Sequence, residues 1–337
     1  MANIKDIAEL AGVSIATVSR TLREPEKVRP ATAEKVNKAI DALSYNTNLL
    51  ASNLRKQRSD AVIVAVPDIN NPFTSGFVQG IENVARENRI RVMLGITEGK
   101  QELLDWHYAM VAGKQADGMI ILDTNIPANV LKKAESGEPQ PVILACEYEQ
   151  GVPLPRVRFD NIEAAALAAT HIAKQGHRKI ACVTGSPRLQ MSQDRQKGFR
   201  LGLKRNGLEI NERLFVTGGY TLESGAQAAE TLLASGEKFS AILCENDEMA
   251  LGVIHVLAEA GIKVPDDVSV TGMDNLRFGE YANPALTTVS LPSTKIGEQA
   301  MRMMLDFYID AESSVREVIL PHDIIVRKST AAYKQNE

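Results

Sequence analysis

One run near the start of the chain, Ser14-Ile15-Ala16-Thr17-Val18-Ser19-Arg20, leaves an informative set of side chains once its core positions are removed. Val18 and Leu22 have the spacing of buried helix positions, so Ile15, Ala16, Thr17, Ser19 and Arg20 are left over. These groups are small or hydrogen-bonding, largely uncharged, with an arginine near the end. Such a face suits the major groove of DNA. A second set lies further along, where polar residues close apolar runs. These ends read Pro67-Asp68, Cys146-Glu147, Asp160-Asn161, Cys244-Glu245-Asn246-Asp247 and Gly272-Met273-Asp274-Asn275. In open parallel sheets, ligands gather outside the carboxyl ends of the strands, so these residues are candidates to line a pocket. Some are expected to serve as helix caps instead, Asp247 among them.

The elements that would position the first set are three short helices. Ile4, Ile7, Ala8 and Ala11 recur at helical spacing, with Asn3 as N-cap. Gly12 ends that helix, because glycine tolerates the left-handed backbone of a tight turn. Val13 plugs the turn, and Ser14 caps the helix over 15–22. A third helix runs from Pro30 to Leu43, with Val36, Ala39, Ile40 and Leu43 inward. Periodicity alone leaves any small bundle open. Residues 45–60 are polar and read as a linker, although Leu49, Leu50, Ala51 and Leu54 could form a short amphipathic helix. Helices so short are marginal in water, and folding on contact with DNA would follow.

From Ala61 the pattern changes. Apolar runs of strand length (61–67, 91–96, 118–122, 142–146) alternate with helical stretches such as 74–88 and 102–114. The pattern restarts after Asn161, with strands at 180–184, 241–244 and 268–271 and helices at 162–174, 194–206 and 248–260. Continuous apolar strands separated by helices mean parallel sheets covered on both faces. Two such blocks imply two α/β subdomains with a cleft between them.

The length of 337 residues predicts more than one domain. The net charge of −4 is unevenly spread: residues 1–60 carry +3 and the remainder −7. A basic head on an acidic body fits a DNA-reading module joined to a metabolite-binding one. Cys146, Cys182 and Cys244 sit in apolar runs without metal-ligand spacing and read as reduced core residues. No metal or cofactor is expected. No apolar run reaches membrane-spanning length and the N-terminus has no signal-peptide core, which predicts a cytoplasmic protein. Residues 331–337 have no leucine heptads, so a dimer is expected rather than a coiled-coil tetramer.

The run Ile4-Lys-Asp-Ile-Ala through Gly12-Val-Ser, then Ala16-Thr-Val-Ser-Arg20, Val36 and Tyr45, resembles the head of the lactose–galactose repressor family. The resemblance continues through Val66-Pro-Asp-Ile, Asn71-Pro-Phe73, Gly176-His-Arg-Lys-Ile180, Asn246-Asp-Glu-Met-Ala250 and Gly272-Met-Asp-Asn275. It implies a helix-turn-helix head (1–46), a hinge (47–60) and a periplasmic-binding-protein-like body (61–337). The body's chain would cross between subdomains near Asn161, Leu291 and Pro321. Subdomain 1 would hold 61–161 and 292–320, and subdomain 2 would hold 162–291 and 321–330. The family's hinge enters the minor groove and wedges a leucine between base steps; Leu54 matches that leucine, with Ala51 on the same face. A plainer role for Leu54 is to seal the hinge against the body. The resemblance also marks effector positions: Phe73, Thr74 and Glu147 from the first subdomain, and Met191, Arg195, Tyr220, Asn246 and Asp274 from the second. The plainer alternative for each is a cap or a wall residue. Within the family, Ala145-Cys-Glu-Tyr148 and Val66-Pro-Asp-Ile69 are most similar to the cytidine repressor branch. Met191 departs from the polar residue of the purine-binding branch, and Arg29 stands where a serine usually caps the third helix.

The leading expectation is therefore a dimeric repressor of a palindromic operator, controlled by a nucleoside or sugar. Ile15, Ala16 and Arg20 would read base edges, while Ser14, Thr17 and Ser19 would meet phosphates. An α/β enzyme with an appended head is the alternative. It lacks a phosphate-binding glycine loop with a following lysine, Gly-x-Ser-x-Gly and His-Glu-x-x-His, and its five histidines are scattered. A transport binding protein would have no use for the head.

Overall fold

The computed structural model describes residues 3–43, 58–147, 151–310 and 317–334, and divides into two compact units, 1–58 and 59–337.

The first unit holds helices α1 (Ile4–Ala11), α2 (Ile15–Arg23) and α3 (Pro30–Ala42), with a 3₁₀ turn at Pro25–Lys27. Asn3 caps α1 by accepting from the Lys5 and Asp6 N–H groups, and Asp6 accepts back from Asn3 N–H at 2.8 Å. Gly12 closes the helix at φ 64°, where a side chain would be strained. The Ser14 hydroxyl accepts from Thr17 N–H at 3.1 Å and so starts α2. Ile7, Ala8, Val18, Val36 and Ala39 form the core, with Ile4, Ala11, Val13, Leu22, Ile40 and Leu43 packed around it. Thr21 is also buried, its hydroxyl donating to Thr17 C=O at 2.9 Å. α3 begins on Pro30, and Arg29 before it makes no side-chain cap. Residues 47–57 of the expected hinge, Ala51 and Leu54 among them, lie outside the described residues.

The second unit contains two six-stranded sheets. The first has the order β11-β5-β4-β3-β1-β2, all neighbours parallel. Its strands are β1 (Ala61–Val66), β2 (Arg91–Ile96), β3 (Gly118–Ile121), β4 (Val142–Ala145), β5 (Arg156–Phe159) and β11 (Glu317–Leu320). The second has the order β12-β10-β9-β8-β6-β7, parallel except for the β10–β12 pair. It comprises β6 (Ile180–Thr184), β7 (Phe215–Thr217), β8 (Ala241–Cys244), β9 (Ser269–Asp274), β10 (Thr287–Ser290) and β12 (Asp323–Ile325). The central strands β1, β3, β4, β6 and β8 are buried along their whole length, the mark of a sheet covered on both faces.

Helices α4 (Pro72–Glu87), α5 (Gln101–Ala112), α6 (Ala128–Glu135) and α12 (Ser293–Ile309) cover the first sheet. Helices α7 (Asn161–Lys174), α8 (Gln190–Arg205), α9 (Leu222–Ala234) and α10 (Asp247–Glu259) cover the second, and the short α11 (Arg277–Tyr281) follows β9. The chain passes from the first sheet to the second after β5, returns after β10, and passes once more between β11 and β12. No described helix is long and apolar enough to cross a membrane. The three cysteines are buried free thiols.

Candidate functional site: a cavity at the strand ends of two sheets

The carboxyl ends of the two sheets face a cavity of about 520 Å³. All eight effector positions expected from sequence line it, joined by Asp68, Asp123, Phe159 and Asn161 among others.

The first-sheet side is built by strand ends and one helix start. Asn71 caps α4, its carbonyl oxygen accepting from Phe73 N–H at 2.9 Å, which brings Phe73 and the buried Thr74 to the cavity. After β4, Cys146 turns the chain at φ 66° and presents Glu147. Asp123, following β3, is buried and accepts from the Thr97 hydroxyl.

The second-sheet side is more polar. α8 starts at Gln190, a turn earlier than the expected 194, so Met191 stands in its first turn. Glu147 accepts from Met191 N–H at 3.3 Å, linking the two sides. Arg195 is buried and fully engaged. Its Nε donates to Asn161 at 3.0 Å, one terminal nitrogen donates to Glu245 C=O, and the other lies 3.7 Å from the Asp274 carboxylate. Asp274 takes φ 113° and Tyr220 φ 64°, left-handed conformations that L-residues adopt at a cost. Tyr220 donates its hydroxyl to Glu245 at 2.6 Å, and Ser192 donates to the other oxygen of Glu245 at 3.2 Å. The Tyr220 ring lies so close to Gly185 that a Cβ there would fall 2.2 Å from it.

The cap before α10 differs from expectation. Asn246, not Asp247, is the N-cap, accepting from Met249 N–H at 2.9 Å while donating to Tyr220 C=O at 3.0 Å. Asp247 is the first helical residue and is fully buried. It accepts from the Thr288 hydroxyl and from Leu276 N–H, both at 2.6 Å, tying α10 to β10. The shift by one residue puts Asn246 at the cavity through its backbone-locked side chain.

Burial sets the electrostatics. It pushes Glu147 up to about 7, aided by Asp194 and Asp123 and opposed by Met191 N–H and Arg195. It pushes Asp274 up to about 7 against the pull of Arg195, and Glu245 up to about 6 against the Tyr220 hydrogen bond and Arg195. The Cys146 thiol is raised by burial and the neighbouring Glu147 charge, so it is a poor nucleophile. No histidine lines the cavity, and no group of three metal-ligating side chains occurs among the described residues. The arrangement can hold a ligand by one aromatic face and several fixed donors and acceptors.

Comparison with known proteins agrees with this construction. Residues 3–48 match the bacterial regulatory proteins of the lacI family, and residues 169–330 match a periplasmic binding protein-like domain. The chain is 32% identical over 331 residues to the HTH-type transcriptional repressor CytR of Escherichia coli K12, covering 98% of this chain and 97% of that one. It belongs to the LacI family. A second LacI-family relative, catabolite control protein A of Priestia megaterium, is 35% identical over 329 residues, with 97% and 98% coverage. The lac repressor dimer bound to operator and an anti-inducer superposes with a TM-score of 0.87 at 25% identity, over 98% of this chain and 99% of that one. The regulator CelR in complex with cellobiose gives 0.72 at 29% identity, over 98% and 100%. This LacI-family chain is thus a DNA-binding transcriptional regulator, with a helix-turn-helix head and an effector-binding body.

On the head, Ser14, Ile15, Ala16 and Arg20 are exposed and Thr17 and Ser19 half-buried. Ile15 and Ser19, and Ala16 and Arg20, are pairs four residues apart, so each pair shares a helix face. The Ser14 hydroxyl is occupied by the α2 cap and by Thr17 Oγ1 at 2.9 Å. The strand-end pattern in the sequence points to Asp68, Asn161 and Glu245 without giving them a ligand role, and Asp123 and Phe159 stand outside the ends it marks. The strand-end rule, applied to β3, would have found Asp123.

Proposed function

We propose that this chain is a cytoplasmic, homodimeric repressor that binds a palindromic operator and is switched by a nucleoside or sugar. In this reading residues 1–46 form the head, 47–60 the hinge, with Ala51 and Leu54 facing the minor groove, and 61–337 the body. Ile15, Ala16 and Arg20 read base edges; Ser14, Thr17 and Ser19 approach phosphates. Phe73, Thr74, Glu147, Met191, Arg195, Tyr220, Asn246 and Asp274 meet the effector, and the protein turns nothing over.

One observation carries this reading: Arg195, Asp274, Tyr220 and Phe73 line a single cavity whose walls come from both sheets. A ligand that prefers the closed arrangement of those walls shifts the population toward it. Two heads related by a two-fold axis then sense the shift through the hinges.

The test is a thermal-shift panel of nucleosides, nucleobases and sugars, followed by operator binding with each hit. Ligand at a hundredfold excess over Kd stabilises by about 2.7 kcal/mol. A shift lost in Arg195→Ala, with changed operator affinity, supports the reading. Turnover of the ligand would favour the enzyme alternative instead.

A further inference from the structure

The charges around the cavity are lopsided. Six carboxylates line it (Asp68, Asp123, Glu147, Glu223, Glu248 and Asp274) against one described base, Arg195. That base is already committed, since its donors are directed at Asn161, Glu245 C=O and Asp274. Glu245 stands immediately behind it, fully buried and held by Tyr220 and Ser192. A phosphate entering this space would meet six acidic side chains and, among the described residues, no cation that is not already paired.

We propose that the cavity admits only the unphosphorylated form of its ligand: a nucleoside or sugar rather than the corresponding nucleotide or sugar phosphate. The proposal rests on the reading of the cavity as the effector site. Carboxylates serve hydroxyl and amine donors well, because each oxygen accepts two hydrogen bonds. The same oxygens repel a phosphate dianion, and in a partly desolvated cavity that repulsion is poorly screened. Burial, the chief cause of the raised proton affinities of Glu147 and Asp274, penalises any further negative charge in the same space. One consequence is a place in a reaction sequence. Phosphoryl transfer from a nucleoside triphosphate to a ligand hydroxyl, which forms the ester, releases the hydroxyl proton and leaves the diphosphate, ends the signal.

The experiment is titration calorimetry of the full chain with matched pairs: cytidine and its 5′-monophosphate, adenosine and its 5′-monophosphate, ribose and ribose 5-phosphate, glucose and glucose 6-phosphate. For any pair whose free member binds, the phosphate is expected to weaken binding by about a hundredfold or more. Glu147→Gln, which removes the charge Glu147 carries above about pH 7 and keeps a hydrogen-bond acceptor, is expected to narrow that gap in titrations on the alkaline side of that value. A phosphorylated member that binds as tightly as its partner, and loses affinity in Tyr220→Ala, overturns this proposal while leaving the effector site in place. Binding of any probe that is unchanged in both Tyr220→Ala and Arg195→Ala overturns both.

Discussion

Glu147, one residue beyond Cys146 at the end of the first sheet's fourth strand, accepts a hydrogen bond at 3.3 Å from the backbone N–H of Met191, in the first turn of α8. The donor and acceptor belong to opposite walls of the cavity. Because the donor is backbone, no substitution at position 191 except proline removes it, and deleting the acceptor is the cleaner test. Glu147→Ala is expected to weaken effector binding by about fivefold to tenfold, the net value of one such bond. Glu147→Gln keeps an acceptor and is expected to retain most of the affinity for an uncharged ligand. Equal losses in the two variants would show that the link is not what holds the walls.

The buried carboxylates give the protein an unusual pH dependence. Glu147 and Asp274 keep their protons to about 7 and Glu245 to about 6 when folded. In the unfolded chain such groups lose them near about 4. Over that interval the folded state binds more protons, so stability falls as pH rises from the unfolded values toward 7. The contribution of Glu147 is read as the difference between the parent and Glu147→Gln in urea unfolding across that range, because the half-buried His171 and the buried His177, whose proton affinity burial lowers, contribute the opposite slope. The variant should show the shallower decline or steeper rise, and equal slopes in the two proteins would contradict a neutral buried Glu147.

Arg195 is a structural hub as well as a ligand group. Arg195→Ala leaves Asn161, Glu245 C=O and Asp274 without their donor. Loss of one partner from a buried ion pair costs about 3–5 kcal/mol. Arg195→Lys is expected to recover little, since an ammonium cannot reproduce the planar fork. Chemical denaturation of both variants checks this.

On the head, Arg20→Ala is expected to cost about 1–3 kcal/mol of operator binding and to relax preference at one base pair of each half-site. Ser14→Ala removes the cap seen at Thr17 N–H and should cost about 1 kcal/mol of head stability. Fluorescence anisotropy with operator and scrambled DNA separates the two. An Arg20 variant that binds both DNAs as the parent does would remove that residue from base reading.

Much of this was legible in the residues because the signals were local. Asn3, Gly12 and Ser14 each satisfy a nearby backbone group, so their roles could be assigned from neighbours. Long apolar strands such as Ala61–Val66 announce themselves by composition. Strands β5, β7, β10, β11 and β12 are not read from the sequence as strands, being three or four residues long and defined by their pairing partners. The cap at Asn246 was displaced by one because Asp247 answers to Thr288 and Leu276, partners invisible at short range. The engagement of Arg195 is likewise a tertiary fact: its partners lie 34 and 50 residues away.

The final crossings have a consequence for the chain's biosynthesis. β11 closes one sheet and β12 the other, and both come from residues 317–325. Neither lobe is complete until residues 317–325 have left the ribosome. The head, by contrast, has its own core within the first 43 residues. A premature stop shortly before Glu317 would strip an edge strand from both lobes at once and uncover β5 and β10, the kind of bare edge that recruits other chains. Late nonsense mutations should therefore yield insoluble product rather than a trimmed but working regulator.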